Sequence, residues 1–200
     1  MNRKIKLLSL SLFLIIIYLI YNNVNPPLEY LDLGDNYKEN RTYHYYDYIA
    51  NYLREKEELR KFDRYANDNY LIEDIYHKIV STNTLKKDLR EAKVLTISIG
   101  KNDIIYLKSK EKNNKEIKET IKISIKNLLK EIKKYYKRDI YLLEIDYNNP
   151  YQDIINDINK LYQKEAKKEE RIHFIKTNDL PKKNSFEQRI SKRIIKKLEK

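Results

Sequence analysis

The segment from Lys93 to Asp103 constrains the fold more than any other part of the sequence. After Lys93, the run to Ile99 is mostly aliphatic or β-branched and contains no glycine, proline or charged residue. Such a run is typical of a strand buried on both faces of a parallel sheet. It stops at Gly100, which permits a tight turn. We expect the turn to place Asn102 and Asp103 at the carboxyl end of the sheet, where open α/β sheets bind ligands.

A second predicted strand ends in the same way. The segment from Tyr30 to Leu33 is followed by Gly34, Asp35 and Asn36. Gly34 and the glycine at position 100 are the 2 glycines of the chain. Because parallel strands end at one edge of a sheet, we expect the two polar clusters to lie together there. They form the candidate site.

Strands and helices alternate along the rest of the chain. Apolar patterns predict further strands at 59–65, 139–145 and 172–175, and helices at 45–58, 71–80, 81–90, 113–136, 153–168 and 186–198. This order predicts a single doubly wound α/β domain over residues 26–200, with three layers and a central parallel sheet of about five strands.

The N-terminus has the pattern of a membrane anchor or a signal peptide. Basic residues precede an apolar run from Leu7 to Tyr21, and no small-residue cleavage pattern follows. We therefore favour an uncleaved, single-pass anchor within residues 1–25, with Pro26 and Pro27 in a short tether; a cleaved signal peptide is the alternative. The positive-inside rule then predicts a cytoplasmic N-terminus and a domain outside the cytoplasm, or a secreted domain if the segment is cleaved.

Composition narrows the classes of partner and cofactor. The net charge is +12, and its excess in the second half of the chain could meet anionic lipids or polymers. No basic cluster is interleaved with aromatic residues as in a nucleic-acid module, so nucleic acid is not an expected partner. With 0 cysteines, disulfides and thiolate metal sites are excluded. Asp35, Asp103 and Asp146 could hold a divalent cation, but turn and capping hydrogen bonds are the favoured interpretation, and we expect no metal or cofactor.

Two of these segments resemble conserved blocks of the SGNH (GDSL-type) hydrolases, a flavodoxin-like α/β family of esterases, lipases and deacylases. Residues 33–36 (Leu-Gly-Asp-Asn) are similar to the first block, and residues 99–103 (Ile-Gly-Lys-Asn-Asp) to the third. Weaker similarity extends to residues 66–75, 147–150, 180–181 and 190–192, in the family's order. The resemblance implies a flavodoxin-like fold and chemistry on ester or acyl groups. The alternative is an unrelated flavodoxin-like domain.

The resemblance assigns roles to the candidate residues. In the family, a first-block serine is the nucleophile, and an Asp-x-x-His in the fifth block supplies the base. A second-block glycine and a third-block asparagine complete the oxyanion hole with the nucleophile's own N–H. Here Asn102 matches the oxyanion-hole asparagine, Gly100 and Asp103 match the turn that presents it, and Asn69 is the candidate equivalent of the second-block glycine.

Two catalytic groups of the family are missing. Asn36 stands at the position of the nucleophile, and its delocalised amide cannot act as one. No histidine follows Leu180, where the base is expected. Of the 3 histidines, His44 is the one predicted near the site, whereas His77 and His173 are predicted at the surface or core edge.

Two other possible sources of a nucleophile are not expected to supply one. Ser98 lies in the buried run and is predicted to be packed rather than reactive. The chain lacks the glycines of a Gly-x-Ser-x-Gly elbow.

Three functions remain open. The favoured interpretation is an inactive, membrane-anchored binding or scaffold module that holds an acyl or acetylated cell-envelope ligand through Asp35, Asn36 and Asn102. The second is an active hydrolase or deacetylase with a non-standard catalytic residue. The third is a basic structural module at the cell surface that binds anionic polymers or lipids.

Overall fold

The computed structural model describes residues 3–24, 28–35, 43–146, 151–181 and 186–199. Their elements, in chain order, are α1 (Arg3–Val24), β1 (Leu28–Asp35), α2 (Tyr45–Glu55), β2 (Leu59–Asn67), α3 (Ile72–Ser81), α4 (Asn83–Glu91), β3 (Ala92–Ser98), α5 (Lys101–Ser109), α6 (Asn114–Tyr135), β4 (Ile140–Leu143), α7 (Gln152–Ala166), β5 (Ile172–Ile175) and α8 (Phe186–Leu198). Strands and helices alternate as predicted.

The five strands form one parallel sheet in the order β2-β1-β3-β4-β5. This is the doubly wound order in which the chain first runs outward from β1 to β2 and then returns through β3 to the other edge. The α/β fold and the five-stranded parallel sheet are therefore confirmed. β1 and β3 are the two central neighbours, and Asp32 lies opposite Thr96 in their register.

Helices cover both faces of the sheet, which gives three layers. On one face, Leu31 and Leu33 of β1 pack in the core formed with α3, α4, α6 and α7. On the other face, Tyr30 packs with the buried sides of α2 and α8. Successive residues of β1 thus face opposite layers, as strand geometry requires.

The central strand is followed by a helix that the sequence pattern did not predict. Gly100 has a φ of 110°, in the left-handed region, and it immediately precedes α5. Asn102 and Asp103 therefore lie in the first turn of a helix and not in an extended turn. Glycine is favoured at this position because residues with a Cβ rarely adopt this backbone conformation.

The N-terminal helix α1 has exposed apolar side chains, including Leu10 and the residues from Leu12 to Ile20. Basic residues stand at its start and asparagines at its end. Within the described ranges, no helix combines the length and the apolar character that crossing a membrane requires, so the predicted spanning helix is not found.

Candidate functional site

The ends of β1 and β3 are joined through one carboxylate. Asp35, the last residue of β1, accepts hydrogen bonds through Oδ2 from the backbone N–H groups of Gly100 and Asn102, each at 3.0 Å. The backbones of β1 and β3 are also in close contact at Gly34, one residue before Asp35. A Cβ on Gly34 would collide with the carbonyl oxygen of Ser98, its partner in the register. The first and third polar segments of the sequence are thus brought together at the carboxyl edge of the sheet.

Asp35 is partly buried: some of its surface remains accessible to solvent. Burial raises the pKa of its carboxyl group to about 6, against the opposing effect of the N–H groups of Asn102, Lys101 and Gly100. These donors stabilise the ionised form but do not outweigh the loss of water.

Asn36, which takes the position of the nucleophile in the family pattern, lies outside the described residues. The same is true of residues 147–150, of the tether prolines and of residues 182–185.

The side chain of Asn102 is engaged with the backbone of the segment after β2. Its Nδ2 donates to the carbonyl oxygens of Asp68 at 2.7 Å and Tyr70 at 3.1 Å. A side-chain amide has two N–H donors, so these two bonds use its full donor capacity. In this arrangement Asn102 fixes the 68–70 segment against the start of α5.

Asn69 lies between the two carbonyl groups that accept from Asn102, but its own side chain is exposed. Its backbone N–H donates to Oδ1 of Asn67 at 3.1 Å. Outside glycine, the described residues with positive φ are Glu57 and Glu111. Asn69 therefore does not adopt the left-handed backbone that glycine readily permits.

Asp103 is buried, and its carboxylate contacts the start of α3. Its two carboxylate oxygens accept from the N–H of Ile72, at 3.3 and 3.1 Å, at the start of α3. Burial raises its pKa to about 7, and the negative charge of Asp35 adds to this rise. Asp103 thus holds the N-terminus of α3 against α5.

A cavity of about 80 Å³ opens at the carboxyl edge, on the face covered by α2 and α8. Its wall comprises Asp32, Gly34, Asp35, His44, Tyr45, Tyr46, Arg64, Ala66, Ser98, Ile99, Lys101, Leu143, Glu144, Ile145, Asp146, Thr177, Phe186, Glu187 and Ile190. Gly34 and Asp35 are the predicted site residues in this wall. Asn69, Gly100, Asn102 and Asp103 are not among the residues that line the cavity.

Part of the cavity wall belongs to a polar network around the buried Asp32, which sequence reasoning missed. Asp32 accepts from the hydroxyl groups of Tyr45 and Thr96, each at 2.6 Å, and from Nε of Arg64 at 3.3 Å. Because the Thr96 hydroxyl donates to Asp32, its oxygen can accept from the hydroxyl of Tyr30 at 2.9 Å. Burial raises the pKa of Asp32, against the effect of these donors. The available signal was an aspartate placed between Leu31 and Leu33 of the predicted strand.

The three histidines lie far apart. His44 lines the cavity, and its ring stacks on Tyr46 with centroids 5.0 Å apart. His77 is exposed on α3. His173 lies 3.3 Å from the carboxylate of Asp139, before β4, at the opposite edge of the sheet. Ser98, which was predicted to be packed, also lines the cavity.

The start of α8 occupies the side of the cavity where the family pattern places its base. Phe186, Glu187 and Ile190 form this part of the wall. Oε2 of Glu187 accepts from the backbone N–H of Tyr45 at 2.8 Å.

Among the described residues, no three histidine or carboxylate side chains are arranged to hold a metal ion. Asp35 and Asp146 line the cavity, whereas Asp103 does not.

Comparison with known proteins gives structural relatives but no sequence relatives. No family model and no curated protein matches the chain. It is similar to the lipase Lip_vut3 from a goat rumen metagenome, with 17% identity and a TM-score of 0.56 over 75% of this chain and 80% of that one. TesA matches with 10% identity and a TM-score of 0.56 over 85% and 97% of the two chains. A protein from Desulfitobacterium hafniense DCB-2, described as lipolytic and of the G-D-S-L family, matches with 13% identity and a TM-score of 0.58 over 84% and 98%.

Proposed function

Since the chain has the fold of the SGNH hydrolases, we propose that it is a non-hydrolytic member of this fold that binds a small ligand in the cavity at the carboxyl edge of its sheet. The observation that carries this proposal is the position of Asn102. Both of its amide N–H groups are committed to the carbonyl groups of Asp68 and Tyr70, so they are not available to a developing oxyanion. An oxyanion needs donors that are oriented in advance toward it.

The missing catalytic groups support the same proposal. Position 36 carries an asparagine, and the chain has no histidine after His173. The cavity wall at the start of α8 instead has Phe186, Glu187 and Ile190. Loss of either the nucleophile or its base usually leaves little activity above the background supplied by binding and the oxyanion hole.

An ester-hydrolysis assay with p-nitrophenyl acetate and acetylated sugars tests the proposal. We expect no turnover above buffer. We also expect none from Asn36→Ser, because that substitution restores a nucleophile without a base. Turnover by the natural protein that disappears in Asn102→Ala, while Asn114→Ala retains it, would overturn the proposal.

An active hydrolase with a non-standard nucleophile is the second candidate. Ser98 and His44 both line the cavity, so a residue with a hydroxyl group and one with an imidazole border the same space. In this case the same assay gives turnover that Ser98→Ala and His44→Ala each remove. Thr84→Ala, on α4, serves as the matched control for loss of a hydroxyl away from the cavity.

We propose that α1 attaches the domain to a membrane, with the domain on the extracytoplasmic side. Its apolar side chains from Leu12 to Ile20 are exposed, and basic residues precede them. Cell fractionation is expected to find the full-length chain with membranes, and added protease is expected to digest it in intact cells. A shortened chain in the medium would instead indicate a cleaved signal peptide, and the full-length chain in the cytosol would contradict both.

The resemblance also suggests acyl or acetylated cell-envelope compounds as ligands, and the net charge of +12 suggests contact with anionic polymers or lipids. Charge-driven contact is tested by pelleting with anionic vesicles at increasing salt, where it weakens steeply. Binding that does not change with salt would exclude a function as a basic module that binds anionic polymers or lipids.

A further inference from the structure

The fold collects basic side chains at the edge of the sheet opposite the cavity. Helices α2, α3, α6, α7 and α8 each have an acidic residue in the first turn and a basic residue in the last. Between parallel strands the chain must return from the carboxyl edge to the amino edge, where the strands begin. The ends of α6 and α7 therefore lie at the amino edge.

The most basic part of this edge is formed by residues 130–139 and 164–171, which we call the basic surface. These residues lead from α6 into β4 and from α7 into β5. The two segments are neighbours, because the N–H of Ile140 donates to the carbonyl oxygen of Arg171 at 2.7 Å. They contain nine lysine or arginine residues and five aspartate or glutamate residues, a net charge of +4.

Ion pairs do not neutralise the basic surface. Three of its carboxylates, those of Glu131, Glu165 and Glu169, pair with neighbouring basic side chains. The other two belong to Asp139, which lies 3.3 Å from His173, and to Glu170, which is exposed. In the part of the chain that the structure describes, five exposed basic residues of this surface have no carboxylate partner: Lys130, Lys137, Arg138, Lys164 and Lys167.

The other segments of the amino edge do not offset this charge. Residues 54–63 contain four basic and four acidic residues, and residues 86–93 contain four basic and two acidic residues. The end of α8 has Lys196 and Lys197 against Glu199, and Glu29 near the start of β1 adds one negative charge. The whole edge therefore remains basic.

Helix capping explains only part of the pattern. A basic side chain is favoured in the last turn of a helix, but this effect falls off beyond that turn. Lys137, Arg138, Lys168 and Arg171 lie after the last residues of α6 and α7. Basic residues that continue past the helix ends suit an external partner with negative charge.

The connection to α1 places this edge next to the proposed membrane attachment. Val24 ends α1 and Leu28 begins β1, so their Cα atoms are at most about 14 Å apart, at about 3.6 Å per residue. In the sheet, β4 lies two strands from β1, which is roughly 10 Å at about 4.8 Å per strand. The cavity is at the other end of β1, roughly 26 Å away for a strand of 8 residues.

We infer that the amino edge of the sheet lies against the membrane that α1 enters, with the basic surface in contact with anionic lipid headgroups. The cavity then opens away from the bilayer. This inference rests on the proposed attachment by α1 and adds the lipid class and the orientation of the domain. Lysine and arginine side chains next to a membrane are attracted to its anionic lipids.

Contact quenching of a fluorescent label tests the orientation. Because the chain has 0 cysteines, single cysteines can be labelled in the full chain. Glu170→Cys places the label on the basic surface, and Glu73→Cys places it in the first turn of α3, near the carboxyl edge. Both replaced residues are exposed glutamates, so the change in charge is the same.

The labelled chains are bound to vesicles that carry a nitroxide on some headgroups, and flotation measures attachment separately. With phosphatidylcholine and phosphatidylglycerol in equal parts, we expect strong quenching at position 170 and little at position 73. We expect this difference to disappear on phosphatidylcholine alone. It should also disappear at about 1 M salt, where the Debye length falls to about 3 Å.

Two sets of lysine substitutions locate the contact. Each basic residue near an anionic surface contributes roughly fivefold to the contact equilibrium, so four substitutions on the basic surface should lower it more than about tenfold. These are Lys130→Gln, Lys137→Gln, Lys164→Gln and Lys167→Gln. The matched control removes four exposed lysines elsewhere and should keep the quenching: Lys110→Gln, Lys115→Gln, Lys176→Gln and Lys192→Gln.

The outcomes separate this inference from the attachment on which it rests. Chains that float with the vesicles but show no quenching, or show equal quenching at both positions, would overturn the orientation and leave the attachment by α1 in place. Quenching that is insensitive to salt, or that is lost equally in the control set, would overturn the role of the basic surface. Binding of that surface to soluble polyglutamate without quenching would assign it to a different partner. Chains that do not float would contradict the attachment itself.

Discussion

The carboxylate of Asp35 accepts the backbone N–H of Asn102 at 3.0 Å. This bond links the last residue of β1 to the first turn of α5, and a second bond to the N–H of Gly100 strengthens the link. A carboxylate is favoured at the N-terminus of a helix because its free N–H groups carry partial positive charge. The contact therefore fixes the edge of the sheet on which the cavity lies.

Removal of this acceptor should lower stability. Asp35→Ala leaves two N–H groups without their partner, and we expect the free energy of unfolding to fall by about 1–3 kcal/mol. Asp35→Asn retains an acceptor oxygen and should lose less. Urea unfolding followed by circular dichroism measures both. If both variants lose the same free energy of unfolding, the hydrogen bonds of Asp35 are not the source of its contribution to stability.

Loss of the Asn102 amide should act on stability rather than on chemistry. Asn102→Ala leaves the carbonyl groups of Asp68 and Tyr70 without donors, and we expect a loss of about 1–3 kcal/mol. Asn114→Ala, an exposed substitution in the first turn of α6, should change stability by less than about 0.5 kcal/mol. The measurement is urea unfolding of both variants. A stability unchanged in Asn102→Ala would contradict the structural role proposed for this side chain.

Gly100→Ala should be destabilising for two separable reasons. Its positive φ disfavours any Cβ by about 1 kcal/mol, and the new Cβ would collide with the hydroxyl of Tyr162. We expect a loss of about 2 kcal/mol or more. In a Tyr162→Phe background, the collision with the hydroxyl is removed, so the same substitution should cost less.

A double-mutant cycle by thermal or urea unfolding measures that difference. Tyr162→Phe alone loses the hydrogen bond from its hydroxyl to the carbonyl of Ile99, at 3.1 Å, and supplies the reference. Additive losses would show that the side chain of Tyr162 is not what excludes a larger residue at position 100.

The buried carboxyl group of Asp103 should make stability depend on pH. Its pKa in the folded protein is raised to about 7, above the ordinary value of about 4 in an unfolded chain. The folded state therefore binds this proton more tightly, and the contribution of Asp103 to stability falls as the pH rises from about 4 to about 7.

Asp103→Asn removes the titration and retains an acceptor for the N–H of Ile72. We expect the stability of the variant relative to the natural protein to increase over this pH range, by at most about 4 kcal/mol at 1.36 kcal/mol per pKa unit. Chemical unfolding at pH 4, 5.5, 7 and 8 measures this difference. A difference that is constant with pH would contradict the prediction.

Local patterns in the sequence were sufficient to predict the architecture. The order of strands and helices and the parallel sheet follow from hydrophobic periodicity and turn residues, which depend on near neighbours in the chain. The short helix α5 was missed because its nine residues follow a glycine turn and carry little amphipathic pattern. The two polar segments after β1 and β3 could be placed at one edge, because parallel strands end together.

The roles of individual side chains depended on the tertiary structure. Sequence position suggested one site for Asp35, Asn102 and Asp103, but their hydrogen bonds assign them to the link with α5, the 68–70 segment and the start of α3. Asp32 and Thr177 entered the cavity wall only through strand register and helix packing. The sequence by itself determined which segments form the sheet, since that is a local property. Only the tertiary structure decided which polar groups face the cavity and which are used inside the fold, because hydrogen bonds between distant residues depend on packing.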